Sequence, residues 1–258
     1  MQDQFNQAQH CHQSGQLSQA EAIYRELHAS EPLQAMVNLR LAQLLQQTNR
    51  QAEALPFIRV AIDGMPGQLE LLLLGVSIST QLGDNKTAET WLRRAVQIQP
   101  DNIKVNEQLA GVLISNYKEK DALEACKRLI KLDPKNANGY NLKGLALSRM
   151  GETDKGYKCF QKSVRMNPGH IAVIRNLILY GKGKKEPLLA SLIPQLEQNI
   201  AKNNQPVAVQ MNMAYIISMY YERQKNTDKA FQYLKLGNDL NRQTSPYQQA
   251  LTDEQFQL

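Results

Sequence analysis

The stretch AETWLRRAVQIQPDN, residues 88–102, is answered 34 positions later by ALEACKRLIKLDPKN, residues 122–136. Ala88 aligns with Ala122 and Pro100 with Pro134, and the alignment extends in both directions. Pro32, Pro66, Pro100, Pro134 and Pro168 stand 34 residues apart, and Ala20, Ala54, Ala88, Ala122 and Gly156 keep the same interval twelve residues ahead of them. Self-similarity at a fixed period of roughly 20–50 residues is the mark of a stacked repeat. Five units are predicted, 1–34, 35–68, 69–102, 103–136 and 137–170.

Each unit reads as two helices joined by a short turn. Small residues recur where the helices must cross closely: Ala8, Ala42, Ala110 and Gly144 in the first helix, the Ala20 series in the second. The third unit departs from this, with Val76 at the small-residue position and Gly75 one place early. Gly15, Gly83 and Gly151 sit where a first helix closes on a left-handed residue, and Asn49 takes that place in the second unit. Ser18 and Glu21 have capping-box spacing, predicting that Ser18 caps the second helix of the first unit. Each proline ends a second helix, because it lacks an amide donor and disfavours helical geometry in the residue before it.

These residues resemble the tetratricopeptide repeat (TPR), a 34-residue helix–turn–helix with small residues at positions 8 and 20, a turn glycine, and proline at position 32. The resemblance covers residues 1–170 and implies an all-α fold, a right-handed TPR superhelix or α-α solenoid. Beyond His170 the period slips. IAVIRNLILY (171–180) and EPLLASLIPQLEQNIAKN (186–203) predict a divergent helical pair over 171–210, with a basic insertion, GKGKK, between them. A last TPR-like unit is predicted over 211–243, giving about seven hairpins in all, with 244–258 a linker or the start of a further domain.

Composition narrows the function classes. No stretch approaches the roughly 18 apolar residues of a membrane helix, and the start MQDQFNQAQHCHQSG has neither the basic nor the apolar part of an export signal, so a cytoplasmic protein with no membrane partner is expected. Cys11, Cys126 and Cys159 form no CxxC pair, which argues against a disulfide framework. His10, Cys11 and His12 are neighbours on a helix and diverge from one another, so no metal site is expected. The net charge of +6 comes from the middle: residues 101–200 hold 17 Lys/Arg against 10 Asp/Glu. Aromatic residues are sparse there, which disfavours a nucleic-acid partner, and a basic solvated face accounts for the excess.

In a stacked array of this kind the first helices line a groove, and repeat positions 2, 5, 9 and 12 face it, as the resemblance implies. The groove candidates are Gln9, His12, Leu39, Gln43, Gln46, Ser77, Thr80, Glu107, Asn138, Asn141, Ser148, Arg175 and Tyr215. This mostly neutral polar set favours an extended peptide or protein partner held through amides and hydroxyls. The carboxylate-clamping set of some TPR proteins is missing, its places being held by Phe5, Gln9, Arg40, Glu70 and Leu74. Lys182, Lys184 and Lys185 of the insertion are candidates for contact with an anionic partner.

No nucleophile–base pair, carboxylate pair or phosphate loop is present, so neither catalysis nor a cofactor is expected of this chain. The C-terminal stretch DKAFQYLKLGNDLNRQTSPYQQALTDEQF is nevertheless similar to the junction between repeats and catalytic domain in bacterial TPR sulfotransferases. Ala230, Phe231, Gly237, Asn238, Arg242 and Tyr247 carry that likeness, while the family's donor-binding P-R-S-G-T-T turn has no counterpart. The resemblance implies a non-catalytic interaction module placed ahead of a transferase domain. The alternative is a free-standing TPR scaffold. Oligomeric state is left open.

Overall fold

A computed structural model describes residues 2–181 and 187–244, and every regular element among them is an α-helix. Fourteen helices follow one another in sequential hairpins. The first block, Met1–Pro134, holds α1 (Gln2–Gln13), α2 (Leu17–Ser30), α3 (Ala35–Gln47), α4 (Gln51–Gly64), α5 (Leu69–Gln81), α6 (Asn85–Ile98), α7 (Ile103–Ser115) and α8 (Glu119–Leu132). The second, Lys135–Leu258, holds α9 (Ala137–Arg149), α10 (Thr153–Met166), α11 (Ile171–Tyr180), α12 (Pro187–Lys202), α13 (Val207–Arg223) and α14 (Thr227–Thr244).

Within the first block α2, α4 and α6 each pack on their own first helix and on the first helix of the next hairpin, and α8 packs on α7. Ala8, Ala20, Ala42, Ala54, Ala88, Ala110 and Ala122 are fully buried at these crossings. Gly75 resolves the irregular third hairpin. A Cβ on it would stand 2.7 Å from the Trp91 ring, so α5 presents its small residue one place early to receive that indole, and Val76 is buried beside it. In the second block, α9 and α10 cross as closely: a Cβ on Gly144 would lie 2.5 Å from the Phe160 ring. Next to this pair the hairpin pattern loosens. The ten-residue α11 lies against α10 and α13, and α12 packs more on α13 than on α11.

The turns share one backbone device. Gly15 (φ 80°), Asn49 (58°), Gly83 (74°), Tyr117 (57°), Gly151 (86°) and Lys225 (58°) all hold the left-handed conformation after a first helix. Four of these are the Gly or Asn that the turn predicts; Tyr117 and Lys225 accept a conformation that favours glycine. Two second-helix ends are tied to the next helix by a buried asparagine. Asn38 Nδ2 donates to the Pro32 carbonyl at 2.9 Å, and Asn106 Nδ2 to the Pro100 carbonyl at 2.7 Å.

The capping-box expectation is corrected. Helix α2 starts at Leu17 with Gln16 before it and no side-chain cap. Glu21 instead binds Arg25 at 2.8 Å and Arg50, from the next hairpin, at 2.7 Å. Two guanidinium groups outcompete a backbone amide for a carboxylate, because charge-assisted pairs are the stronger hydrogen bonds. Side-chain caps do form at Asp84, Asn102 and Asn136, each accepting from the amide three residues on.

Candidate functional site

The first helices carry a polar ladder in the first block. His12 Nε2 on α1 lies 3.0 Å from Gln47 Oε1 on α3, and Gln46 Nε2 on α3 donates to Ser77 Oγ on α5 at 2.9 Å. Gln43 accepts from Arg40 at 3.0 Å. Gln9, His12 and Arg40, with the buried Tyr24, line a cavity of about 170 Å³. Gln9, His12, Gln43, Gln46, Ser77 and Glu107 are half-buried, while Thr80 is exposed with its hydroxyl turned onto the Val76 carbonyl at 2.8 Å. Leu39 is buried and packs within the hairpin stack.

The second helices of this block bear ion pairs. Glu89, on α6, receives Arg93 at 2.9 Å, Lys118 at 2.8 Å and the Asn116 amide at 2.7 Å. Burial pushes its carboxyl up, but the bonds from Lys118, Asn116 and Arg93 outweigh that and hold it below its ordinary value. Here a carboxylate ties one hairpin to the next.

In the second block, Asn141 and Ser148 are buried. Asn141 Oδ1 accepts from Asn176 Nδ2 on α11 at 2.8 Å, so it fastens α9 to α11. Asn138 is half-buried and Arg175 exposed. Between α11 and α13 lies a cavity of about 390 Å³ whose walls include Ala172, Arg175, Asn212, Tyr215 and Met219. Arg175 and Tyr215 are the two groove candidates that the structure brings together there. Asn212 and Met219 stand at positions 2 and 9 of the unit that starts at Met211, so the same register contains them. Lys182, Lys184 and Lys185 lie outside the described residues, as does Tyr247.

Tyr215 is fixed from behind. Its hydroxyl donates to Asn238 Oδ1 on α14 at 3.0 Å, and a Cβ on Gly237 would stand 2.7 Å from its ring. The Gly237–Asn238 pair is therefore the seat of Tyr215. Nearby, Tyr221 donates to Glu197 at 2.8 Å and stacks on Tyr233. Burial, with the Glu197 carboxylate next to it, pushes the Tyr233 phenol up to about 12. Among the described residues no group of His, Cys, Asp and Glu could hold a metal ion, and no helix is long and apolar enough to cross a membrane.

The chain is a tetratricopeptide-repeat protein. Tetratricopeptide-repeat family models match residues 5–68 and 71–102, and the model described as the N-terminal TPR repeats region of Psidin matches residues 112–239. Tetratricopeptide repeat protein 21B of Xenopus laevis is 26% identical over 135 residues, 51% of this chain and 10% of that protein. The protein O-mannosyl-transferase TMTC1 of Homo sapiens is 26% identical over 207 residues, 73% of this chain and 23% of that protein. The chain thus spans at most about a quarter of these two relatives. A tetratricopeptide repeat protein from Parabacteroides merdae superposes with a TM-score of 0.67 at 15% identity, covering 98% of this chain and 96% of that one. At that identity the match speaks for the fold.

Proposed function

We propose that this chain is a protein-binding module whose first helices hold an extended peptide or a segment of a partner protein. The observation that carries this reading is the cavity between α11 and α13. It pairs an exposed cation, Arg175, and an exposed amide, Asn212, with the ring of a tyrosine held in place by Gly237 and Asn238. A preset aromatic flanked by hydrogen-bonding groups suits a peptide that offers one apolar side chain and backbone carbonyls. Little ordering entropy is then lost on the protein side.

A repeat scaffold is favoured over a module ahead of a sulfotransferase domain. The matched models are repeat models, and two of the six residues that carry the transferase likeness, Gly237 and Asn238, have a local role in seating Tyr215. The test is selection of peptides from a random display library on the wild-type chain, followed by competition with Arg175→Glu and Asn212→Ala. Both residues are exposed, so the variants keep the fold. Enriched peptides should bind the wild type at least about tenfold better than Arg175→Glu, a difference of about 1.4 kcal/mol. Equal binding to all three proteins would refute the reading.

A further inference from the structure

The first and last described helices present different outward faces. In the interior, the outward side of a first helix is apolar and covered: Val37, Leu41 and Leu44 on α3 are fully buried. The same register positions on α1 are Asp3, Gln7 and His10, all exposed. The outward face of α1 is thus polar and needs no neighbouring helix to cover it.

Among the described residues, the outward face of α14 is apolar and exposed. Position 24 of the repeat is Tyr24, Ile58, Leu92 and Phe160 in four earlier hairpins, each fully buried, and each second helix carrying it packs on the first helix that follows. The same position on α14 is Leu234, which is 43% exposed, and beside it Phe231 is 68% exposed. Together with Tyr215, Met219 and Ala230 they border a cavity of about 470 Å³ in which Glu222 is the one charged lining residue.

We propose that this face docks a second copy of the chain, α14 against α14 across a two-fold axis. The occupant follows from three features. The surface continues the stacking interface of the earlier hairpins, so it is shaped for a helix. It also carries both a protruding side chain, Phe231, and a hollow, so a two-fold rotation can place each Phe231 in the partner copy's cavity. Self-complementarity of this kind is what an isologous interface needs. Finally, the polar α1 offers no apolar surface to α14 of another copy, so head-to-tail growth is disfavoured.

The test is sedimentation equilibrium of the full chain from roughly 1 to 200 µM, run beside Phe231→Asp and Leu234→Asp. Both side chains are solvent-exposed, so circular dichroism of the variants should match the wild type. The expected result is a monomer–dimer equilibrium weakened at least about tenfold by either aspartate, and untouched by Gln7→Lys on the polar α1. A wild type that stays monomeric over the whole range, or a dimer indifferent to both aspartates, would overturn the proposal. So would a monomer that dimerises only after residues 245–258 are removed, since the chain's own C-terminal residues would then hold the face.

Discussion

The Tyr215 hydroxyl donates to Asn238 Oδ1 at 3.0 Å, and Gly237 leaves room for the tyrosine ring where a Cβ would stand 2.7 Å away. One residue of α13 is thereby fixed by two consecutive residues of α14, 22 and 23 positions further along the chain. Tyr215 also borders the cavity between α11 and α13 and the one between α13 and α14.

Gly237→Leu should therefore displace Tyr215 as well as strain the helix pair. The expected cost is about 1–3 kcal/mol, that of overpacking a fitted contact, read as a lower urea midpoint, together with loss of any peptide selected on the wild type. Asn238→Ala removes only the hydrogen bond to an exposed amide. It should cost less than about 1 kcal/mol, so a larger loss than for Gly237→Leu would contradict the seating role.

Tyr117 stands at φ 57° and is largely exposed. Left-handed geometry costs a non-glycine residue roughly 1–2 kcal/mol, and the extra freedom of glycine in the unfolded chain returns about 0.4–1 kcal/mol of that. Tyr117→Gly should thus stabilise the chain by about 0.5–1 kcal/mol in urea unfolding, and Tyr117→Val should destabilise it.

Glu89 gives the first block a pH dependence of known sign. Its carboxyl is held below its ordinary value of 4.5 in the folded chain. Its contribution is therefore complete above that value and is lost as pH falls through the lowered folded value. Glu89→Gln should cost about 1–3 kcal/mol at pH 7, because Lys118 and Arg93 keep an acceptor but lose the carboxylate charge they share. The gap between variant and wild type should narrow as pH falls below about 4. Urea midpoints at neutral and acidic pH measure both effects, and a gap that widens in acid would contradict them.

The repeat was plain in the sequence because its constraints are local: an alanine at a helix crossing, a proline after a second helix, a glycine in a left-handed turn each exclude most other residues. Where a position only disfavours alternatives, the pattern was silent, and so Tyr117 and Lys225 occupy left-handed turns without a sequence signal. Ser18 and Glu21 misled because Glu21 answers to Arg50, 29 residues away in the next hairpin. The groove positions were harder still. Spacing gives the face of a helix but not what covers it, so Leu39 and Asn141 share repeat position 5 with Arg175 and Tyr215 yet are buried, as is Ser148 at position 12. Asn238 could be understood only once α13 and α14 were side by side.

The most direct measurement of the central claim is hydrogen exchange on the full chain with and without a peptide selected on it. Binding between first helices predicts slowed exchange at amides of α11 and α13, centred on Arg175, Asn212 and Tyr215, and loss of that slowing in Arg175→Glu. Slowing confined to the second helices, with α11 and α13 unchanged at saturating peptide, would contradict the claim.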